Sequence, residues 1–206
     1  FLMEKGIQPR YLTSVTKLQY NIFLNQYKTS SSGNAILIYF GHKKSRITLV
    51  NDWEIVECRE MLIGLGNFVQ AYRDASSSIP KAQEMSYSDI CNVLFQSGLP
   101  ASKGDLEEVP DDDIEETASS GTYDKILNSV TSQLLSEIYA TLRNFNLKGL
   151  RMSSKIYASG PGTAIPNIVE IISASVGQNV KILELPLETM IHKDFEGELA
   201  PENSQY

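Results

Sequence analysis

The chain has 206 residues, 42% of them hydrophobic, a formal charge of −7 and two cysteines, which is enough length for one full core, or for one core with a small appended subdomain, in a globular soluble protein. Its longest apolar runs, 35–40 and 168–172, fall far short of the roughly 20 residues that a membrane-crossing helix needs, so no span is expected. Eight acids between 105 and 116 outweigh the whole net charge, and no basic stripe interleaved with aromatics stands elsewhere, which excludes the usual footprint of nucleic-acid binding.

Phe1 opens without the basic region, apolar stretch and small-residue cleavage site of a signal peptide, and reads as a cut edge. A short helix end stopped at Gly6 is expected there. A second helix is predicted from about Thr13 to Tyr27, because Val15, Leu18, Ile22 and Phe23 recur at helical spacing. After a polar, turn-forming break at 29–34, three strands are predicted at 35–40, 46–50 and 53–59. Their links, Gly41-His42-Lys43-Lys44 and Asn51-Asp52, are so short that the strands must form an antiparallel meander.

Gly64 and Gly66 then open a helix to about Ala75 with Phe68, Ala71, Tyr72 and Ala75 on one face. The next helix, 86–96, carries Ser86 as its cap and Asp89 as the third-residue acid, with Tyr87, Ile90, Cys91, Leu94 and Phe95 as the buried stripe. Residues 98–121 have the composition of a mobile acidic connection, and they lack the alternating acids, central Gly and terminal Glu of a calcium loop. The longest helix is predicted over 122–145, on a seam of Leu127, Val130, Leu134, Ile138, Leu142 and Phe145. A β-α-β unit closes the pattern: strand 155–159, turn Gly160-Pro161-Gly162, helix 164–176 with Pro166 in its first turn and Gly177 as its left-handed stop, and strand 180–184. Its two strands should be parallel. Residues 185–206 read as polar, acidic coil.

Cys58 and Cys91 form no CxxC pair, lie in apolar-periodic segments and read as reduced core thiols of a cytoplasmic protein. Tyr39, Trp53 and Tyr157 read as packing residues, and His192 has no partner at ligand spacing. The basic hairpin tip, His42 to Arg46, is either a phosphate-binding cluster or a solvated turn.

Several segments together resemble the PilM/FtsA family of actin-fold proteins. Gly160-Pro161-Gly162-Thr163-Ala164-Ile165-Pro166 resembles the adenosine turn of that family, and 38–50 its phosphate hairpin. The stretch 58–66 is similar to the following strand with its glycine helix start, Leu135-Ser136-Glu137-Ile138 to the element near the ribose, and Gly6-Ile7-Gln8-Pro9 to the interdomain entry. The resemblance covers nearly the whole chain. It implies a ribonuclease-H-like (actin-like ATPase) α/β lobe, the C-terminal one only, with a mixed sheet of about five strands, flanking helices and a small helical insertion. Its expected divisions are 1–34 (interlobe helix and linker), 35–80 (strand meander and helix), 81–121 (inserted subdomain and acidic loop) and 122–206 (the rest of the lobe).

The same resemblance implies Gly41, Ser45, Glu137, Gly160, Gly162 and Thr163 as nucleotide-binding positions, with ATP held weakly or not at all. Tyr39 stands where the family has the hairpin Asp that orders metal-bound water, Tyr139 replaces an Arg, and Pro161 replaces the middle glycine of the turn. No catalytic or metal-binding residue is therefore expected, since hard cations want ionised oxygen. The implied role is a scaffold that recruits other proteins of a membrane-associated pilus or secretion machine, at the inner face of the inner membrane. The rival expectation is half of an active ATP-dependent ATPase or kinase.

Overall fold

A computed structural model of the chain describes residues 13–29, 33–75, 85–99, 114–147 and 155–184. Helix α1, Val15–Tyr27, starts at Ser14, whose hydroxyl accepts the backbone N–H of Lys17 at 3.2 Å and so satisfies one of the orphan donors of the first turn. Strands β1 (Ala35–Tyr39), β2 (Ser45–Asn51) and β3 (Glu54–Met61) form the expected meander. Later in the chain come β4 (Lys155–Ser159) and β5 (Val180–Ile182). The sheet order is β3-β2-β1-β4-β5, antiparallel through the first two pairings and parallel through the last two.

The central strand β1 explains that order. Ala35, Ile36, Leu37 and Ile38 are all buried, as a strand covered on both faces requires. Because successive side chains point to opposite faces, Ile36 and Ile38 enter one core and Ala35 and Leu37 another. The larger core packs beneath four helices: α2 (Leu65–Ala75), α3 (Tyr87–Ser97), α4 (Ile114–Leu147) and α5 (Ile168–Val176). The smaller one lies under α1, where Phe23 is wholly buried and stacks on Trp53 at 5.8 Å. Burial of such a side chain contributes roughly 1.5–3 kcal/mol.

Asp52 and Trp53 form the β2–β3 turn, both with positive φ (51° and 65°), one residue later than the expected Asn51-Asp52 link. A tryptophan there is unusual. It is held because its N–H donates to the Gly33 carbonyl at 2.9 Å, its own carbonyl accepts the Tyr20 hydroxyl, and Asn34 Oδ1 accepts the Asp52 N–H.

Helix α3 carries the predicted capping box of Ser86 and Asp89 in full. Two helix starts differ from expectation. Helix α4 begins at Ile114, inside the segment read as acidic connection, so that 114–121 is helical; the acids of the 100–113 stretch lie outside the described residues, as do Gly6, Gly149 and His192. Residues Pro161–Ala164 form a 3₁₀ turn, and α5 starts only at Ile168, after Asn167 in the left-handed conformation. Pro166 thus precedes the helix, where its missing N–H leaves no ladder bond unmade. Gly177 does end α5 at φ 68°. Cys91 is buried, but Cys58 is exposed, because β3 is an edge strand among the described residues and its positions 54, 56, 58 and 60 are exposed, with the Thr16 hydroxyl of α1 3.7 Å from the thiol. Among the described residues no helix is long and apolar enough to cross a membrane.

Candidate functional site

The ends of β1 and β4 run side by side and deliver two glycine-bearing turns to one junction. Phe40 N–H donates to the Ser159 carbonyl at 2.8 Å, and the Gly162 N–H donates back to the Phe40 carbonyl at 3.0 Å. Gly160 sits at φ 101°, a conformation that an L side chain rarely adopts, and a Cβ there would lie 2.5 Å from the Phe40 carbonyl oxygen. At Gly162 a Cβ would fall 2.3 Å from the Phe40 ring. The Thr163 hydroxyl donates to the Gly160 carbonyl at 2.8 Å and locks the turn.

The half-buried ring of Tyr39 faces both turns. A Cβ on Gly41 would meet its Cε1 at 2.8 Å, and one on Gly160 its Cε2 at 2.9 Å. The ring therefore occupies the space that the missing side chains of the two turns leave.

Beside it opens a cavity of about 430 Å³ between α1 and the strand ends, walled by Val15, Leu18, Ile22, Pro161 and Leu183. Gln19, Ser159 and the Tyr39 ring supply its polar edge. Gln19 is 3% exposed; its Nε2 donates to the Ser159 hydroxyl at 3.0 Å, and its Oε1 has no hydrogen-bond partner among the described residues.

The β1–β2 hairpin is tied into the protein rather than left open. The buried Ser45 hydroxyl donates to the Ile63 carbonyl at 2.6 Å, and the amides of Leu65 and Gly66, at the start of α2, donate to the carbonyls of Gly41 and His42. Lys44 and Arg46 pair with Glu60 at 2.6 and 3.0 Å. The Lys44 ammonium, seconded by Arg46, holds the Glu60 carboxyl below its ordinary value of 4.5. His42 Nδ1 shares a hydrogen bond of 2.8 Å with the Tyr87 hydroxyl, and burial, with Cys91 adding to it, pushes that phenol up to about 12.

Of the residues singled out in the sequence, Gly41, Gly160, Gly162 and Thr163 meet at this junction. Ser45 lies behind it, bonded to the backbone before α2. Glu137, half exposed on α4, is drawn at 4.0 Å to Arg59 of β3, a strand roughly 14 Å from β4 at the normal spacing of three strand steps. Two residues that shape the site were not singled out as site residues: Phe40, within the 38–50 stretch, and Gln19, which carries no motif. The available signal for Gln19 was a polar residue inside the apolar stripe of α1, between Leu18 and Ile22. Among the described residues no group of three or more His, Cys, Asp or Glu gathers as a metal site.

No protein-family model and no curated protein matches the chain. Solved structures do. MreB5 of Spiroplasma citri bound to ADP is 17% identical with a TM-score of 0.62, over 95% of this chain and 62% of that one. A chain of the PilM–PilN type IV pilus biogenesis complex is 13% identical with a TM-score of 0.59, over 94% of this chain and 49% of that one. An archaeal actin homologue is 15% identical with a TM-score of 0.54, over 84% and 50%. The five-stranded mixed sheet with flanking helices is the actin-like ATPase fold. The chain spans about half the length of the PilM–PilN chain that it matches.

Proposed function

We propose that this chain is the recruitment lobe of a PilM-like actin-fold protein, a scaffold that gathers other proteins of a pilus or secretion machine at the cytoplasmic face of the inner membrane, and that its nucleotide site is degenerate. The observation that carries the reading is the Tyr39 ring lodged against Gly41 and Gly160, between the two turns that resemble a phosphate hairpin and an adenosine turn. A phenol is no substitute for a carboxylate in ordering Mg²⁺.

The surroundings fit a metal-bound triphosphate poorly. Among the described residues no charged side chain lines the cavity, the Ser45 hydroxyl is engaged by Ile63, and Lys44 and Arg46 pair with Glu60. The glycines at 160 and 162 have an intramolecular reason to be glycine, which is the closeness of Phe40. Likeness to a chain of a pilus biogenesis complex supports protein partners of that kind.

Two measurements test this reading. The chain, alone and within its full-length parent, is expected to show no ATP turnover above a no-protein control; turnover that survives repurification contradicts the degenerate site. Photo-cross-linking of the parent in its own cells is expected to recover membrane proteins of one assembly. Recovery of soluble metabolic enzymes alone contradicts recruitment.

A further inference from the structure

Helix α3 touches both glycine turns, one at each of its ends. At its first residue the Tyr87 hydroxyl shares a 2.8 Å hydrogen bond with His42 Nδ1, at the tip of the β1–β2 hairpin, and the two rings lie 4.8 Å apart. Past its last residue the Leu99 N–H donates to the Pro166 carbonyl at 3.3 Å, and Gly98 comes so near that a Cβ on it would lie 2.9 Å from the Pro166 Cβ. Pro166 closes the turn that carries Gly160 and Gly162. Between these two contacts the 11 residues of α3 span about 16 Å, at a rise of 1.5 Å per residue.

The core packing of α3 does not require either contact. Ile90, Cys91 and Leu94 seat the helix on the main core, and an amphipathic helix needs only such a stripe. The end contacts come from other groups: one phenol hydroxyl, and the backbone of Gly98 and Leu99. Gly98 ends the helix at φ 70° with its N–H on the Leu94 carbonyl at 3.0 Å, and any side chain there would be both strained and driven against Pro166. The stretch between the ends is stiff. Ser86 and Asp89 close its first turn with a full capping box, and Ile90 and Leu94 are wholly buried.

We infer that α3 is a strap across the junction: fastened to the hairpin through Tyr87 and to the turn after β4 through Gly98 and Leu99, it holds the two turns at one spacing, so that freeing either end loosens both. Tyr39 and Phe40 join the turns from within, and α3 joins them from outside. A partner that draws Tyr87 away from His42 therefore loosens Pro166, two residues before the start of α5, through a rigid element with no contact of its own at that end. The strap goes beyond the recruitment reading and holds whether or not the junction takes a nucleotide.

Amide exchange of the isotope-labelled 206-residue chain tests the strap at a distance. Tyr87→Phe deletes the hydroxyl and keeps the ring. The Leu99 amide, at the opposite end, is expected to exchange at least about fivefold faster than in the parent, after division by the change at Ile138, a buried residue of α4 whose amide reports opening of the whole core. Coupling is reciprocal, so Gly98→Ala, which pushes the far end off Pro166, should shift the ring resonances of His42. Effects confined to the altered end, with Leu99 in Tyr87→Phe changing only in step with Ile138, overturn the inference and leave two separate contacts. Should Gly98→Ala fail to fold, the Leu99 ratio in Tyr87→Phe decides alone. ATP enters neither measurement, so the strap and the degenerate-site reading stand or fall separately.

Discussion

The Tyr39 ring and Gly160 are in such close contact that a single added carbon on the glycine would lie 2.9 Å from the ring edge. On its other edge the ring bears on Gly41 in the same way, at 2.8 Å. One aromatic side chain thus couples the β1–β2 hairpin to the turn after β4, and the two glycine turns are conditions of each other's geometry.

Gly162→Ala should destabilise the chain, because its new methyl carbon would be driven into the Phe40 ring. Overpacking of this kind costs about 1–3 kcal/mol. Urea unfolding measures it, and Phe40→Leu in the same chain should recover part of the loss. A Gly162→Ala chain as stable as the parent would mean that Phe40 does not fill that space.

Ser45→Ala should cost about 1–2 kcal/mol, since the buried Ile63 carbonyl loses the hydroxyl that donates to it at 2.6 Å. The expected readout is a lower urea midpoint with unchanged slope. An unchanged midpoint would show that the hydroxyl does not secure the hairpin.

The Glu60 cluster sets an acid limit. Its carboxyl titrates lower in the folded chain than in the unfolded one, so its contribution is complete above the ordinary value of 4.5 and is lost as the pH falls through the folded value. The group lies at the surface, where ion pairs contribute little, and the effect should be small. In Glu60→Gln, the fall in midpoint between neutral pH and pH below 4.5 should be shallower than in the parent. An identical pH profile in the two proteins would dissociate Glu60 from Lys44 and Arg46.

Exposure separates the two cysteines. Cys58, on the open face of the edge strand, should react with a disulfide reagent in the native chain, while Cys91, inside the main core, should react only on unfolding. Two thiols titrating together under native conditions would contradict the packing of α3.

Much of this fold was legible in the sequence because its signals are local. The Ser86 and Asp89 cap, the helical stripe of α4 and the all-apolar 35–38 run each depend on residues close in sequence. What was less legible depends on distant partners. Trp53 turns the β2–β3 hairpin only because Gly33, Tyr20 and Phe23 hold it, and Cys58 is exposed only because β3 has no neighbour on its outer side among the described residues. The start of α4 was masked by acidic composition, which resembles that of a solvated loop. At the site, glycine-rich turns were visible, but not their reason: the Phe40 ring against Gly162 comes from the residue just after β1, more than a hundred residues earlier.

The most direct test of the central claim is calorimetric titration of ATP into the chain and into its full-length parent, with and without Mg²⁺. The degenerate site predicts no saturable heat, or binding at millimolar concentration that is the same without the metal. Mg²⁺-dependent binding tighter than about 10 μM, equivalent to roughly 7 kcal/mol, would contradict it and would mean that another carboxylate does what position 39 cannot.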